Sequence, residues 1–103
     1  MSAESKNCLV GTWCEQNETL SSVEYAVAES ESGYSVTALD TYDSEPGEVY
    51  EVAWDPENAI LSFSCYWPSS GRFCKCKLRQ LSEDKLDFTY TYTDHEILVR
   101  KNA

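Results

Sequence analysis

The stretch Ile60-Leu61-Ser62-Phe63-Ser64-Cys65-Tyr66-Trp67-Pro68-Ser69-Ser70-Gly71-Arg72-Phe73-Cys74-Lys75-Cys76-Lys77-Leu78-Arg79-Gln80 decides the fold. Two runs of alternating character flank a four-residue turn sequence. Alternation is the signature of a half-buried strand, because successive side chains in a strand point to opposite faces. Pro-Ser-Ser-Gly supplies turn chemistry. So short a connection forces antiparallel pairing, since a parallel crossover needs a dozen residues or more. Setting Trp67 opposite Arg72 fixes the register. Cys65 then faces Cys74, Phe63 faces Cys76 and Leu61 faces Leu78. The other face pairs Tyr66 with Phe73, Ser64 with Lys75 and Ser62 with Lys77. One face is apolar and the other mostly polar, as a sheet with one buried side requires.

The same arithmetic extends outward in both directions. Trp54 opposite Leu61 places Val52 against Phe63 and Tyr50 against Cys65. Leu78 opposite Phe88 places Cys76 against Tyr90 and Cys74 against Tyr92. Tyr92 opposite Ile97 places Tyr90 against Val99, and Val27 opposite Val36 places Tyr25 against Ala38. The period-two pattern predicts eight strands: Leu9–Glu15, Ser22–Glu29, Tyr34–Asp40, Val49–Trp54, Ile60–Trp67, Arg72–Gln80, Leu86–Thr93 and Glu96–Lys101. Turns fall at Glu31-Ser32-Gly33, Ser44-Glu45-Pro46-Gly47, Asp55-Pro56-Glu57-Asn58, Pro68-Ser69-Ser70-Gly71, Ser82-Glu83-Asp84-Lys85 and Asp94-His95. The expected fold is all-β, an eight-stranded antiparallel up-and-down meander closing into a small barrel. Closure removes the two edges of an open sheet. A strongly curved sheet completed by a dimer partner is the alternative.

The chain has 103 residues, the size of one domain, with residues 1–7 as an N-terminal tail. Apolar residues make up 42% of it, ample for a core. Eighteen acids against eight bases give a net charge of −10. Such a surface repels phosphate backbones and anionic headgroups, which argues against nucleic-acid and membrane partners. No stretch reaches the ~18 apolar residues of a membrane span. Five cysteines without an apolar N-terminal signal region predict a reducing, cytoplasmic setting.

Gly11-Thr12-Trp13 on the first strand, with Arg100 near the end of the last, resembles the calycins, the superfamily of lipocalins, fatty-acid-binding proteins and avidins. The resemblance implies a barrel whose Trp13 plugs one end, with Arg100 packed over the indole. The hairpin register points Arg100 outward unless a bulge intervenes. The chain is shorter than a lipocalin and carries neither a C-terminal helix nor a helical lid. It also resembles small uncharacterised bacterial proteins, including ones encoded on mobile gene cassettes, a likeness that implies no mechanism.

The registers place Val23, Tyr25, Val27, Val36, Ala38, Tyr50, Val52, Trp54, Leu61, Phe63, Cys65, Trp67, Cys74, Cys76, Leu78, Phe88, Tyr90, Tyr92, Ile97 and Val99 indoors. Aromatics of this kind fill cores. Four buried tyrosine hydroxyls would nevertheless cost about 1–3 kcal/mol each if left unpaired. They call for partners, rim solvent or a cavity. The expected function is the binding of a small hydrophobic or aromatic molecule, with Tyr25, Tyr50, Trp54, Phe63, Trp67, Phe88, Tyr90 and Tyr92 lining the site. Arg72 stands at the mouth, where it could grip an anionic group or simply form a surface ion pair. The competing readings are a solid-cored assembly protein, with Leu39, Tyr66, Phe73 and Leu98 as an outward dimer surface, and a small calycin-like enzyme. No catalytic constellation stands out. His95 is the sole histidine and falls in a turn. Cys65, Cys74 and Cys76 lack a fourth zinc ligand and read as small hydrophobes. No cofactor is implied.

Overall fold

A computed structural model describes residues 9–16, 22–31, 33–93 and 96–101. The expected tail, Cys8 and the Asp94-His95 turn lie outside them. Seven strands run in chain order: β1 (Gly11–Cys14), β2 (Val23–Ser30), β3 (Gly33–Asp40), β4 (Glu45–Asp55), β5 (Ile60–Trp67), β6 (Arg72–Ser82) and β7 (Lys85–Thr93). Each pairs antiparallel with its sequence neighbour, giving the spatial order β1-β2-β3-β4-β5-β6-β7.

The sheet curls on itself. Tyr25 of β2 meets Phe63 of β5 and Phe88 of β7 at ring-centroid distances of 5.6 and 5.1 Å. Strands that share no ladder thus face one another across a common interior. The core comprises Leu9, Val27, Val36, Ala38, Leu61, Phe63, Cys65, Trp67, Cys76 and Leu78. Burying a Leu, Val or Phe side chain contributes roughly 1.5–3 kcal/mol, so these few residues carry much of the stability. The fold is an antiparallel up-and-down half-barrel.

Two features of the expected barrel are corrected. There is no eighth strand among the described residues, and the sheet does not close. Glu96–Lys101 is exposed at every position and joins no ladder, leaving Ile97 88% and Val99 85% exposed rather than buried.

The third correction lies in β4. Its Glu45–Gly47 stretch pairs with β3, through Asp40↔Glu45, Leu39↔Pro46 and Ala38↔Gly47. Pairing with β5 begins only at Glu48↔Tyr66. The expected turn at 44–47 therefore sits earlier, at 41–44, with Ser44 at φ 61°. Asp43 Oδ1 accepts the Glu45 amide at 3.1 Å there. Pro46 is tolerated because its stretch is paired on one side only. Beyond Ala38 and Gly47 the two strands diverge. Tyr34 packs edge-on against Trp54 across the gap, 5.1 Å between centroids.

A bulge then reverses the face of β4. The β5 register passes from Tyr50↔Ser64 to Ala53↔Ser62, so two residues oppose one, and Glu51 adopts φ 58°. Trp54↔Leu61 holds as expected, but Val49, not Tyr50, faces Cys65. Tyr50 and Val52 are consequently exposed, against the sequence reading. The extra residue inverts every side chain on its N-terminal side. Glu51 folds over the outer face of β5, where its Oε1 accepts the hydroxyl of buried Ser64 at 2.8 Å and lies 3.9 Å from Lys75 Nζ.

Candidate functional site

Because the half-barrel is open, its concave aromatic face is a trough rather than a sealed core. The trough has a volume of about 850 Å³ and runs between β1–β2 on one side and β6–β7 on the other. That is the seam along which a closed barrel would have joined. Pockets for small molecules commonly measure ~300–1,000 Å³ and combine aromatic walls with a few polar groups.

The curl brings side chains from all parts of the chain to this face. β1 contributes Trp13, whose Nε1 donates to the carbonyl of Leu9 at 2.9 Å. That bond fixes the indole against the core at one end of the seam. β2 contributes Val23 and Tyr25, β5 and β6 contribute Trp67, Arg72, Cys74, Cys76 and Leu78, and β7 contributes Leu86, Phe88 and Tyr90. Phe88 and Tyr90 are stacked, 5.2 Å between centroids. These residues alternate along their strands, so period two delivers all of them to one side.

The registers of β5–β6, β6–β7 and β2–β3 are those read from the sequence. Trp67↔Arg72, Cys65↔Cys74, Phe63↔Cys76 and Leu61↔Leu78 all pair. So do Leu78↔Phe88, Cys76↔Tyr90, Cys74↔Tyr92, Val27↔Val36 and Tyr25↔Ala38.

Five of the nine expected ligand-site residues converge on the trough: Tyr25, Trp67, Arg72, Phe88 and Tyr90. The other four do not. Tyr50 points outward and donates its hydroxyl to Glu48 Oε1 at 2.6 Å. Trp54 is engaged with Tyr34. Phe63 is 2% exposed and belongs to the core. Tyr92, half exposed at the free edge, lies beneath Arg72, whose guanidinium carbon is 4.3 Å from the ring centroid. Arg72 therefore stacks on an aromatic face at the mouth. The anticipated cost of four buried hydroxyls shrinks to one: Tyr50, Tyr90 and Tyr92 are about half exposed, and only Tyr25 stays largely enclosed.

The sequence reading placed Val23 indoors without naming it for the ligand site, and it missed Leu86 and the acidic groups Glu15, Asp40, Glu45 and Asp84. Strand parity could have found Leu86, which shares a face with Phe88. The acids come from turns and strand ends, whose reach parity does not predict. Glu45 also clamps the β5–β6 turn, accepting the Ser69 amide and hydroxyl at 2.9 and 2.7 Å. Asp40 accepts the Ser22 hydroxyl at 2.5 Å and the Tyr42 amide at 3.0 Å. Four carboxylates against Arg72 and Lys85 make the lining a poor host for an anion.

Beneath the trough, burial suppresses ionisation. It pushes the Cys65 and Cys76 thiols up to about 12, with the neighbouring cysteines adding to the effect. Cys74 is raised by burial and partly relieved by Arg72. Tyr25 is raised well above the usual phenol range, first by burial and then by the adjacent thiols and Tyr90. The floor is thus neutral and apolar over the physiological range. Among the described residues, no group of three or more His, Cys, Asp or Glu side chains is placed to hold a metal ion. Arg100, the expected partner of Trp13, is exposed in the unpaired segment. No protein-family model, no curated protein and no solved structure compared with the chain matches it.

Proposed function

We propose that the protein is a non-catalytic binding module whose trough takes an uncharged hydrophobic or aromatic molecule. The observation that carries this reading is that Trp13, Tyr25, Trp67, Phe88 and Tyr90 line one space of about 850 Å³. Flat ligands gain most from such walls, because offset and edge-on ring contacts add to the area they bury. The acidic lining favours a neutral over an anionic guest. The resemblance of Gly11-Thr12-Trp13 to the calycin motif points the same way. We place the protein in the cytoplasm on its cysteine usage.

The test is a fluorescence titration with N-phenyl-1-naphthylamine, a neutral planar probe that brightens in apolar surroundings. Saturable binding is expected. Trp13→Leu and Phe88→Leu should each weaken it about tenfold, about 1.4 kcal/mol. Tyr66→Leu, on the outer face opposite Phe73, should leave it unchanged. Absence of saturable binding, or equal effects of the inner and outer substitutions, would overturn the assignment.

A further inference from the structure

We propose that Glu96–Lys101 of a second copy of this chain pairs with the open edge of β7, so that two chains exchange this segment. The inference does not depend on the trough being occupied.

Among the described residues β7 is the last strand of the sheet and pairs with β6 alone. It is nine residues long. Its outer side therefore offers a row of backbone donors and acceptors, a template for another strand. Short edges, bulges or prolines usually blunt such a template. The outward side of Lys85–Thr93 has none of these after Ser82, where the one irregularity of the β6–β7 register falls.

The complementary strand is present in the same chain. Ile97, Leu98 and Val99 are 85–88% exposed, three consecutive aliphatic residues, two of them β-branched. Such residues favour strands and gain by leaving water. Laid antiparallel on β7 with Ile97 opposite Tyr92, the segment sets Val99 opposite Tyr90. Those are the two tyrosines left half exposed at the edge. On the other face Leu98 meets Thr91, and Arg100 meets Thr89 diagonally from Asp87.

A second copy satisfies this register more readily than the chain's own segment. Folding back would require a tight reversal at Asp94-His95, and the structure leaves Glu96–Lys101 exposed and off every ladder of its own chain. Exchange between copies forms the same pairs without that turn. It forms them twice, about a two-fold axis, so the assembly closes at two chains.

Equal amounts of 15N-labelled and 13C-labelled full-length chains, unfolded and refolded together, test the proposal. Isotope-filtered NMR should show contacts between differently labelled chains from Ile97 to Tyr92 and from Val99 to Tyr90. Light scattering should give twice the single-chain mass. An Ile97→Asp/Val99→Asp variant should fall to the single-chain mass while keeping its strand circular dichroism. Contacts confined to one chain would make the segment that chain's own eighth strand and overturn the proposal. So would a single-chain mass at all concentrations up to millimolar, or a variant that still pairs.

Discussion

Gly47 lies so close to Cys65 that a methyl group on its α-carbon would stand 2.6 Å from the cysteine sulfur. The same methyl would come within 3.1 Å of Trp67 and 3.2 Å of Ala38. This is the point where β4 leaves β3 and joins β5, and the curl needs the two backbones close. Gly47→Ala should therefore destabilise the fold by about 1–3 kcal/mol, the usual cost of overpacking. Urea denaturation of the variant checks this. An unchanged midpoint would mean that the β3–β4–β5 junction is looser than described.

The buried thiols make stability depend on alkaline pH. An unfolded chain ionises its cysteines near their ordinary value of 9.0, whereas the folded chain holds the Cys65 and Cys76 protons until about 12. Between these limits the unfolded state binds fewer protons, so stability falls as the pH rises. Tyr25 adds to the fall above pH 10.0. Urea midpoints should decline steadily from pH 8.5 to 11, and less steeply in Cys65→Ala/Cys76→Ala. The same burial predicts selectivity toward a thiol reagent at neutral pH. Exposed Cys14 should react at once, and Cys65 and Cys76 only on unfolding. A pH-independent midpoint, or immediate reaction of Cys65, would contradict the packing.

Ala59 sits at φ 56° at the end of the Asp55-Pro56-Glu57-Asn58 turn. Asp55 organises that turn, accepting the Glu57 and Asn58 amides and the Asn58 side chain. A left-handed backbone costs an L-residue roughly 1–2 kcal/mol, and glycine escapes it at some cost in unfolded-state entropy. Ala59→Gly should stabilise the protein by about 0.5–1 kcal/mol in thermal or urea unfolding. Glu51→Gly, also at a positive φ, should gain less, because it removes the carboxylate that holds Ser64.

Strand parity made the C-terminal half of the sheet legible. Cys74, Cys76 and Leu78 alternate with Lys75, Lys77 and Arg79, and only one parity of pairing puts those three charges outside. The four-residue turn after Trp67 fixes that register, and β7 inherits it through Leu78 and Phe88. The same logic failed at Tyr50 because it assumes an unbroken ladder. Nothing local distinguishes Glu51-Val52 as a bulge, since a glutamate at positive φ is not a residue type that signals one. It failed again at Ile97 and Val99, where the pattern of an inward strand is present but the segment joins no ladder among the described residues. The site followed suit. Trp67 and Phe88, on unbroken ladders, reached the trough; Tyr50, beyond the bulge, did not; and Phe63 and Tyr92 kept their registers but sit in the core and at the free edge. The acids of the rim come from turns and strand ends, which alternation cannot place.

Chemical-shift mapping of the 15N-labelled protein with a neutral naphthalene probe addresses the binding trough most directly. The perturbed amides and aromatic contacts should fall at Trp13, Tyr25, Phe88 and Leu86, on both sides of the seam, while Tyr66 and Phe73 on the outer face stay unmoved. Perturbations confined to the outer face, or none at millimolar probe, would contradict a ligand site on the concave side of the half-barrel.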